Sequence, residues 1–256
     1  MPQRIAEFWA QVFPNAKLRT DLALAQYVEY GWAIQKGTPQ LKAALDDFLK
    51  TRTVGTSFGN TLMRRYLLET KYIKNAQDPA ELRKFQKLAP IFRKHAEKYN
   101  LDFLLLLAEG YQESRLDQQV KSSVGAVGIM QVMPKTAASA PVKISNIDTE
   151  ENNIHAGIRL VHFLVNDYFN QPELDQANRT LFAITSYNAG PAKITKCRKL
   201  AEEMGYDRNK WFGNVEVATA KLVGRETTQY VANIYKYYVA YTLAAAQLQR
   251  RHARTN

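Results

Sequence analysis

Residues 78–115 constrain the fold most, because two helical patterns follow one another there. Asp78-Pro79, with Glu81 shortly after, has the form of a helix start. An apolar series at three- and four-residue steps comes next, at Leu82, Phe85, Leu88, Phe92, Ala96 and Tyr99. Pro90 interrupts this series and predicts a kink or a split. A second helix, from Phe103 to about Arg115, is apolar nearly all round at its start, which predicts that it is buried.

The chain after residue 115 shows the same helical character. Apolar spacing typical of helices recurs over residues 152–169, 180–188 and 226–248. Ser122 to Pro134 (SSVGAVGIMQVMP) contains two glycines and a closing proline, which predicts an ordered loop. No run in this part alternates as a strand would, so we predict an all-α fold for residues 73–256.

The first 72 residues differ in pattern. Gln26 to Gln35 (QYVEYGWAIQ) is rich in aromatic and β-branched residues and predicts a strand. Thr38-Pro39 then predicts the start of a helix, which the apolar series at Leu41, Ala44, Leu45, Phe48 and Leu49 continues. Because a lone strand cannot form a sheet, we expect this segment to be incomplete or docked on something else.

The net charge of +11 favours an anionic partner. Its basic residues are spread along the whole chain, and the densest group, Arg250 to Arg254, is typical of a solvated end. No recognised nucleic-acid-binding motif is present, so we predict no nucleic-acid partner. A cell-wall polymer or a membrane surface fits the charge equally well, and charge alone does not decide between them.

Three further features exclude classes of protein. The longest apolar run, Phe103 to Ala108, is far shorter than the ~20 residues that span a bilayer. Met1 to Ala10 lacks the apolar core of a signal peptide, so the chain is expected to be intracellular or a segment of a longer precursor. Cys197 is the only cysteine, which excludes an internal disulfide, and the four histidines lack metal-ligand spacing, so no metal is predicted.

Glu113 is the candidate catalytic residue. It lies near the end of the predicted buried helix, where a carboxylate is costly unless it is paired or functional. Pairing with Arg115, or a side chain that turns outward, is the structural alternative. The glycine-bearing loop 122–134 and the segment Ser186 to Pro191 (SYNAGP) favour function, since tyrosine and asparagine at a helix end suit sugar hydroxyl and acetamido groups.

These motifs, taken in order, resemble the soluble lytic transglycosylase family. The elements are Glu113-Ser114-Arg115, Ser122, Gly125 to Pro134 (GAVGIMQVMP), Asn153-Ile154 with Ala156-Gly157, Tyr187 to Gly190 (YNAG), and Glu226-Thr227 with Tyr230-Val231. Two positions depart mildly from the family pattern, namely Ser123, where proline is common, and Ile129, where leucine is common. The resemblance covers residues 79–245 and implies a lysozyme-like catalytic domain of the goose type.

A second resemblance concerns residues 1–72. Tyr30 to Ile34 (YGWAI), followed by Lys36 to Leu41 (KGTPQL), is similar to the C-terminal end of a periplasmic solute-binding domain. A solute-binding domain before such a catalytic domain is the layout of the membrane-bound lytic murein transglycosylase F group. This resemblance implies a short α/β remnant of a regulatory domain over 1–72, a catalytic domain over 73–256, and a periplasmic, outer-membrane-associated precursor.

The family resemblance also implies a reaction. Glu113 would act as acid and then base on the bond between N-acetylmuramic acid and N-acetylglucosamine in peptidoglycan, giving 1,6-anhydromuramoyl ends without water or a cofactor. Ordinary glycosidases use two carboxylates, whereas we find one motif carboxylate, and Asp117 is better explained as a cap or turn residue. The substrate-binding residues implied by the resemblance are Ser122, Gly128, Met130, Gln131, Tyr187, Asn188 and Glu226, with a structural ion pair an equal alternative for Glu226. Tyr111, Met130 and Tyr187 are the expected neighbours of Glu113.

Two other functions remain open at this stage. A goose-type lysozyme-like hydrolase would share the fold but use water as the acceptor. A non-catalytic wall-binding module would lack activity, which an intact Glu113 argues against.

Overall fold

The structure is a computed structural model that describes residues 3, 6–7, 10, 17–22, 31–57, 59–60 and 78–255, apart from the side chains of 243–244 and 246–255. The chain divides into two compact units, residues 1–75 and 76–256.

The described part of the first unit contains the predicted helix, α1, at Pro39–Lys50. Its start at Pro39 agrees with the expected position, although the Thr38 hydroxyl donates to the Gln35 carbonyl at 2.7 Å rather than accepting from the first turn. Residues 31–35 are irregular and form no strand, while residues 26–30 of the predicted strand lie outside the described residues.

The second unit is built from helices. Their bounds are α2 Pro79–Lys98, α3 Phe103–Ser114, α4 Pro134–Ala138, α5 Glu150–Tyr168, α6 Gln176–Ala189, α7 Pro191–Glu203, α8 Glu216–Leu222 and α9 Arg225–Thr255. An irregular turn over Trp211–Val215, with non-helical backbone at Phe212 and Gly213, precedes α8. In the described part of this unit the only β pairing is two isolated bridges, Lys121 with Val127 and Val127 with Val132. The all-α prediction is confirmed.

Helix α3 lies in the core, as its composition predicts. It packs between α2 and α9, and its residues Leu105 to Ala108 are almost completely buried. Asp102 caps its start, because the carboxylate accepts from the Leu104 amide at 2.9 Å. Arg115, at φ 57°, ends it in the left-handed region.

Two features of the second unit differ from the sequence-based expectation. Pro90 does not split α2, which runs unbroken from Pro79 to Lys98. Helix α7 was not predicted, since the inward positions Ile194, Cys197, Arg198 and Ala201 have helical spacing but only one large apolar side chain.

Helix α9 fixes the two ends of α3. The Tyr238 hydroxyl donates to Asp102, the cap at the start of α3, at 2.8 Å. The Tyr230 hydroxyl donates to Glu113, in the last turn of α3, at 2.5 Å. The two helices therefore run antiparallel, and α9 defines one wall around Glu113.

Candidate active site

Glu113 occupies the last turn of α3, where the helix leaves the core. Its side chain is half-buried, and its Oε1 accepts a hydrogen bond from the Tyr230 hydroxyl at 2.5 Å. The described residues give it no ion pair, and Arg115, the alternative partner considered from the sequence, is exposed. Tyr230 belongs to the motif at the start of α9, but no sequence pattern indicates that it lies against Glu113.

Burial raises the pKa of the Glu113 carboxyl, and the hydrogen bond from Tyr230 acts in the opposite direction. Burial is the larger of the two effects, so the site favours the protonated acid. A carboxyl with a raised pKa can donate a proton near neutral pH and take one back afterwards.

A second carboxyl, Glu109, lies one turn before Glu113 on α3. It is completely buried, and neither of its oxygens has a hydrogen-bond partner among the described residues. Burial, and then the proximity of Glu113, hold the pKa of Glu109 well above its usual range, while the nearby Tyr230 hydroxyl acts in the opposite direction. Glu109 was not predicted from the sequence, although its four-residue spacing from Glu113 on a buried helix was a usable signal.

The loop 122–134 folds against α3 and α5 through side-chain-to-backbone bonds. The Ser114 hydroxyl donates to the Ile129 carbonyl at 2.9 Å, which ties the loop to the end of α3. Asn153 of α5 accepts from the Met130 amide at 2.8 Å and donates to the Val127 carbonyl at 2.9 Å. The Asn and Ser of the motifs therefore hold the loop in place.

Three of the predicted substrate-binding residues also shape this loop. Gly128 has φ +77°, and a Cβ there would lie 2.3 Å from Asn153 Nδ2, so only glycine fits. The Gln131 amide donates to the Val120 and Gly128 carbonyls at 3.1 and 2.9 Å. The half-buried Ser122 accepts from the Ala126 amide at 2.9 Å. Substrate contact by these residues stays a prediction.

Met130 was expected to bind substrate, but its side chain lies in the core. Its side chain is fully buried, with its Cβ and Cγ 2.6 Å from the position that a Gly157 Cβ would take. A side chain without exposed surface does not line an open groove, so Met130 acts here as a core residue. Its carbonyl accepts from the Tyr187 hydroxyl at 2.7 Å, which connects the loop to α6.

Tyr187 and Asn188 lie in the last turn of α6. Burial, and then Glu109 and Glu113, hold the pKa of the Tyr187 phenol well above its usual range, so Tyr187 lies within electrostatic reach of both carboxyls. Asn188 is exposed and accepts from the Thr227 hydroxyl at 3.1 Å. That bond joins the end of α6 to the start of α9.

The described contacts of three other candidates do not involve Glu113. Glu226 is exposed in the first turn of α9 and forms no ion pair with the described residues. Tyr111, an expected neighbour of Glu113, packs on Tyr237 and Tyr241 with ring centroids 4.5 and 6.0 Å away. Asp117 accepts from the Gln119 amide at 2.8 Å and is the turn residue that was expected.

The described residues hold no group of three or more His, Cys, Asp and Glu arranged for a metal ion. Over the same residues, no helix has the length and apolarity needed to cross a membrane. A surface groove on α2, which Pro90, Arg93 and Glu97 help to line, contains none of the site residues.

Comparison with known proteins identifies the domain. Residues 90–212 match the sequence model of the transglycosylase SLT domain. This part of the chain is similar to the SLT domain family. This match spans Glu113, the loop 122–134 and the YNAG element, so the family prediction is confirmed.

Relatives of the SLT domain include several membrane-bound lytic murein transglycosylases F. The protein from Pseudomonas fluorescens is 27% identical over 249 residues, covering 88% of this chain and 49% of the relative. The protein from Pseudomonas syringae pv. tomato is 29% identical over 249 residues, covering 88% of this chain and 48% of the relative. The chain thus spans about half the length of the curated relatives it matches.

Two solved structures are also similar. Lytic transglycosylase Slt from Pseudomonas aeruginosa is 23% identical with a TM-score of 0.46, covering 61% of this chain and 24% of that one. The 70 kDa soluble lytic transglycosylase from Escherichia coli is 26% identical with a TM-score of 0.46 and the same coverage, 61% and 24%.

Proposed function

We propose that this protein is a peptidoglycan lytic transglycosylase that cleaves the β-1,4 bond between N-acetylmuramic acid and N-acetylglucosamine without water. The observation that carries the proposal is the sheltered carboxyl of Glu113, which the SLT domain holds at the end of a buried helix with a phenol as its hydrogen-bond donor. No cofactor is needed for this chemistry.

In the first step, protonated Glu113 gives its proton to the glycosidic oxygen while the bond to the muramoyl anomeric carbon breaks. The N-acetylglucosamine side leaves as an alcohol, and positive charge develops on the anomeric carbon. Burial of Glu113 supports this step, because it raises the pKa of the carboxyl and so favours the protonated acid. The acetamido group of the substrate would stabilise the cationic centre.

In the second step, the Glu113 carboxylate takes the proton from the muramoyl C6 hydroxyl, and that oxygen bonds to the anomeric carbon. A 1,6-anhydro ring forms and Glu113 regains its proton, so the enzyme ends as it began. Tyr230 supports the intermediate state, since its hydroxyl donates to the carboxylate oxygen at 2.5 Å. The same bond orients Glu113 toward its substrate.

The remaining site residues would position the glycan. Asn188 is exposed beside the start of α9 and offers its amide to the acetamido or hydroxyl groups of the sugar. Ser122 and Gln131 form the edge of the loop that faces the glycan, with Gly128 shaping that loop. Tyr187 would orient the same region from α6, and Glu226 would lie at the margin.

The substrate proposal extends to partner and location. The relatives are named membrane-bound lytic murein transglycosylases, which supports an enzyme that acts on glycan strands at a membrane. We propose that its location is periplasmic, at the outer membrane. The net charge of +11 is compatible with anionic wall polymers. Nucleic acid is not a proposed partner.

The product mixture from purified peptidoglycan tests the proposal. Mass spectrometry should find muropeptides that end in 1,6-anhydromuramic acid. Reducing ends in their place would identify a goose-type hydrolase, and failure to clear a peptidoglycan suspension would identify a non-catalytic wall-binding module. Either outcome overturns the proposal.

A further inference from the structure

Glu109 is a buried acid that the proposed reaction does not use. Its carboxyl has no exposed surface, and both oxygens lack a hydrogen-bond partner among the described residues. Glu113 follows it by four positions on α3, so the two carboxyls lie on the same face of the helix about one turn apart. An unpartnered carboxyl in a helix core is costly, which calls for a physical explanation.

Three groups on three helices face Glu109. Glu113 is on α3 itself, Tyr230 is on α9 and Tyr187 is on α6, and the two phenols each lie within electrostatic reach of both carboxyls. Helix α2 also packs on α3, but its titratable residues Glu81 and His95 interact with other groups. Glu81 raises the pKa of Tyr111, and the His95 ring forms a hydrogen bond of 2.7 Å with Glu151. No cation among the described residues compensates a charge on Glu109.

The Tyr230 hydroxyl has only one hydrogen, and Glu113 accepts it. An ionised Glu109 beside an ionised Glu113 would therefore lack a donor and repel its neighbour in a dry interior. A neutral Glu109 avoids both costs and carries an O–H of its own. That O–H can donate to the lone pairs on the Tyr230 oxygen while Tyr230 donates to Glu113.

We propose that Glu109 is a positioning residue, which stays neutral and donates to Tyr230 so that Tyr230 in turn holds Glu113. The catalytic part of this inference rests on the proposed function, whereas the charge state of Glu109 does not. The proposed chain runs from Glu109 through Tyr230 to Glu113, with no net proton transfer along it. Its effect is to strengthen the Tyr230 bond at the stage when Glu113 carries the negative charge.

Stability as a function of pH tests the neutral state without any activity assay. The pKa of Glu109 is raised in the folded state. The stability that this group contributes in wild type is therefore complete below about pH 4.5, the ordinary Glu pKa, and is lost as the pH rises toward the folded-state pKa. Glu109→Gln removes this loss. Relative to wild type, its unfolding equilibrium constant should decrease by up to about tenfold per pH unit in that window, which means that the variant becomes comparatively more stable.

Glu97→Gln is the matched control, because Glu97 is exposed on α2 and should show no such trend. A Glu109→Gln protein that loses stability relative to wild type as pH rises would show that Glu109 is ionised and would overturn the proposal. Should Glu109→Gln not fold, the infrared carbonyl band of a protonated carboxyl can be recorded for Glu113→Gln at pH 7. Absence of that band would equally overturn it.

The positioning role is tested by kinetics on peptidoglycan. Glu109→Leu removes the donor and should lower kcat about tenfold with little change in KM, while Glu109→Gln, which retains an N–H donor, should rescue most of the loss. In a Tyr230→Phe background the Leu substitution should have no further effect, because the connecting oxygen is gone. Unchanged kcat in Glu109→Leu, or additive losses with Tyr230→Phe, would overturn the role.

These outcomes separate the two proposals. A wild-type protein without wall activity would remove the proposed function but leave the pH dependence of Glu109→Gln intact. An active wild type in which Glu109→Gln shows the opposite pH trend would remove only this inference.

Discussion

At the residue scale, the chemistry of the site depends on which group accepts the hydroxyl hydrogen of Tyr230. The Tyr230 hydroxyl donates to Glu113 and so favours its ionised form, while burial favours the protonated form. A group that serves as acid and then as base works best with a pKa near the operating pH, and these two opposing influences together set that pKa. Glu109, one turn away, is fully buried.

Tyr230→Phe should separate these two influences. Loss of the hydroxyl removes a hydrogen bond to a charged group, worth about 1.5–3 kcal/mol, so kcat should fall roughly 10- to 100-fold. The pKa of Glu113 should rise, because the hydrogen bond lowers it, and the alkaline limb of the pH–rate profile should move to higher pH. Tyr235→Phe, at an exposed position on the same helix, is the control. An unchanged profile in Tyr230→Phe would contradict this account of Glu113.

At the element scale, the loop 122–134 is held by contacts that α3, α5 and α6 each supply. Ser114, Asn153 and Tyr187 bond to its backbone, and Met130 fills the space between Gly110 and Gly157. The loop is therefore built into the core, which explains why Met130 lies inside it. The small residues of the helices allow this close approach.

Gly157→Ala should disturb that packing. The new Cβ would lie 2.6 Å from the Met130 Cβ, and overpacking of this kind typically costs about 1–3 kcal/mol, against a helix-propensity gain of about 1 kcal/mol. Gly110→Ala meets its nearest neighbour at 3.1 Å and should be milder. Urea unfolding of both variants measures the difference. If Gly157→Ala were the more stable of the two, the packing described for Met130 would be incorrect.

The pairing of α2 and α5 contains a cluster of titratable rings. His155 stacks on His95 with ring centroids 4.1 Å apart, and its Nε2 lies 2.9 Å from the Tyr99 hydroxyl. Burial, and then His95 and nearby cations, lower the pKa of His155 to about 4. The folded protein therefore binds fewer protons here than the unfolded chain.

Stability should consequently fall as pH drops from about 6.5, the ordinary His value, toward 4. His155→Gln cannot titrate and should flatten this part of the curve, although it loses the ring stacking and lowers stability at pH 7. Denaturant unfolding at intervals between pH 4 and 7 measures both effects. Parallel curves for wild type and His155→Gln would contradict the lowered pKa.

At the scale of the whole molecule, the sequence predicted most of what depends on local pattern. The caps of α2 and α3, the buried character of α3 and the loop 122–134 follow from spacing and from residue types that act over a few positions. Helix α7 was missed because its inward face includes an arginine and a cysteine. The first unit is only partly described, so the solute-binding remnant over 1–72 stays a prediction.

Contacts between distant parts of the chain could not be predicted in this way. Tyr230 and Glu113 are 117 residues apart, and their bond depends on the antiparallel packing of α9 on α3. The motifs named both residues, yet spacing along a chain carries no information on which side chains meet across a helix pair. Glu109 is a partial case, because its four-residue spacing from Glu113 was visible in the sequence, while the phenols near it lie on other helices.

Glu113→Gln tests the central claim most directly, with cleavage of purified peptidoglycan measured by release of anhydromuropeptides. Glutamine matches the size of the side chain, so the thermal midpoint should stay near that of wild type, and Glu97→Gln provides a matched, exposed control. Loss of the acid and base should reduce cleavage by roughly 10²- to 10⁴-fold. A folded Glu113→Gln protein that retains more than a tenth of wild-type activity would contradict the account.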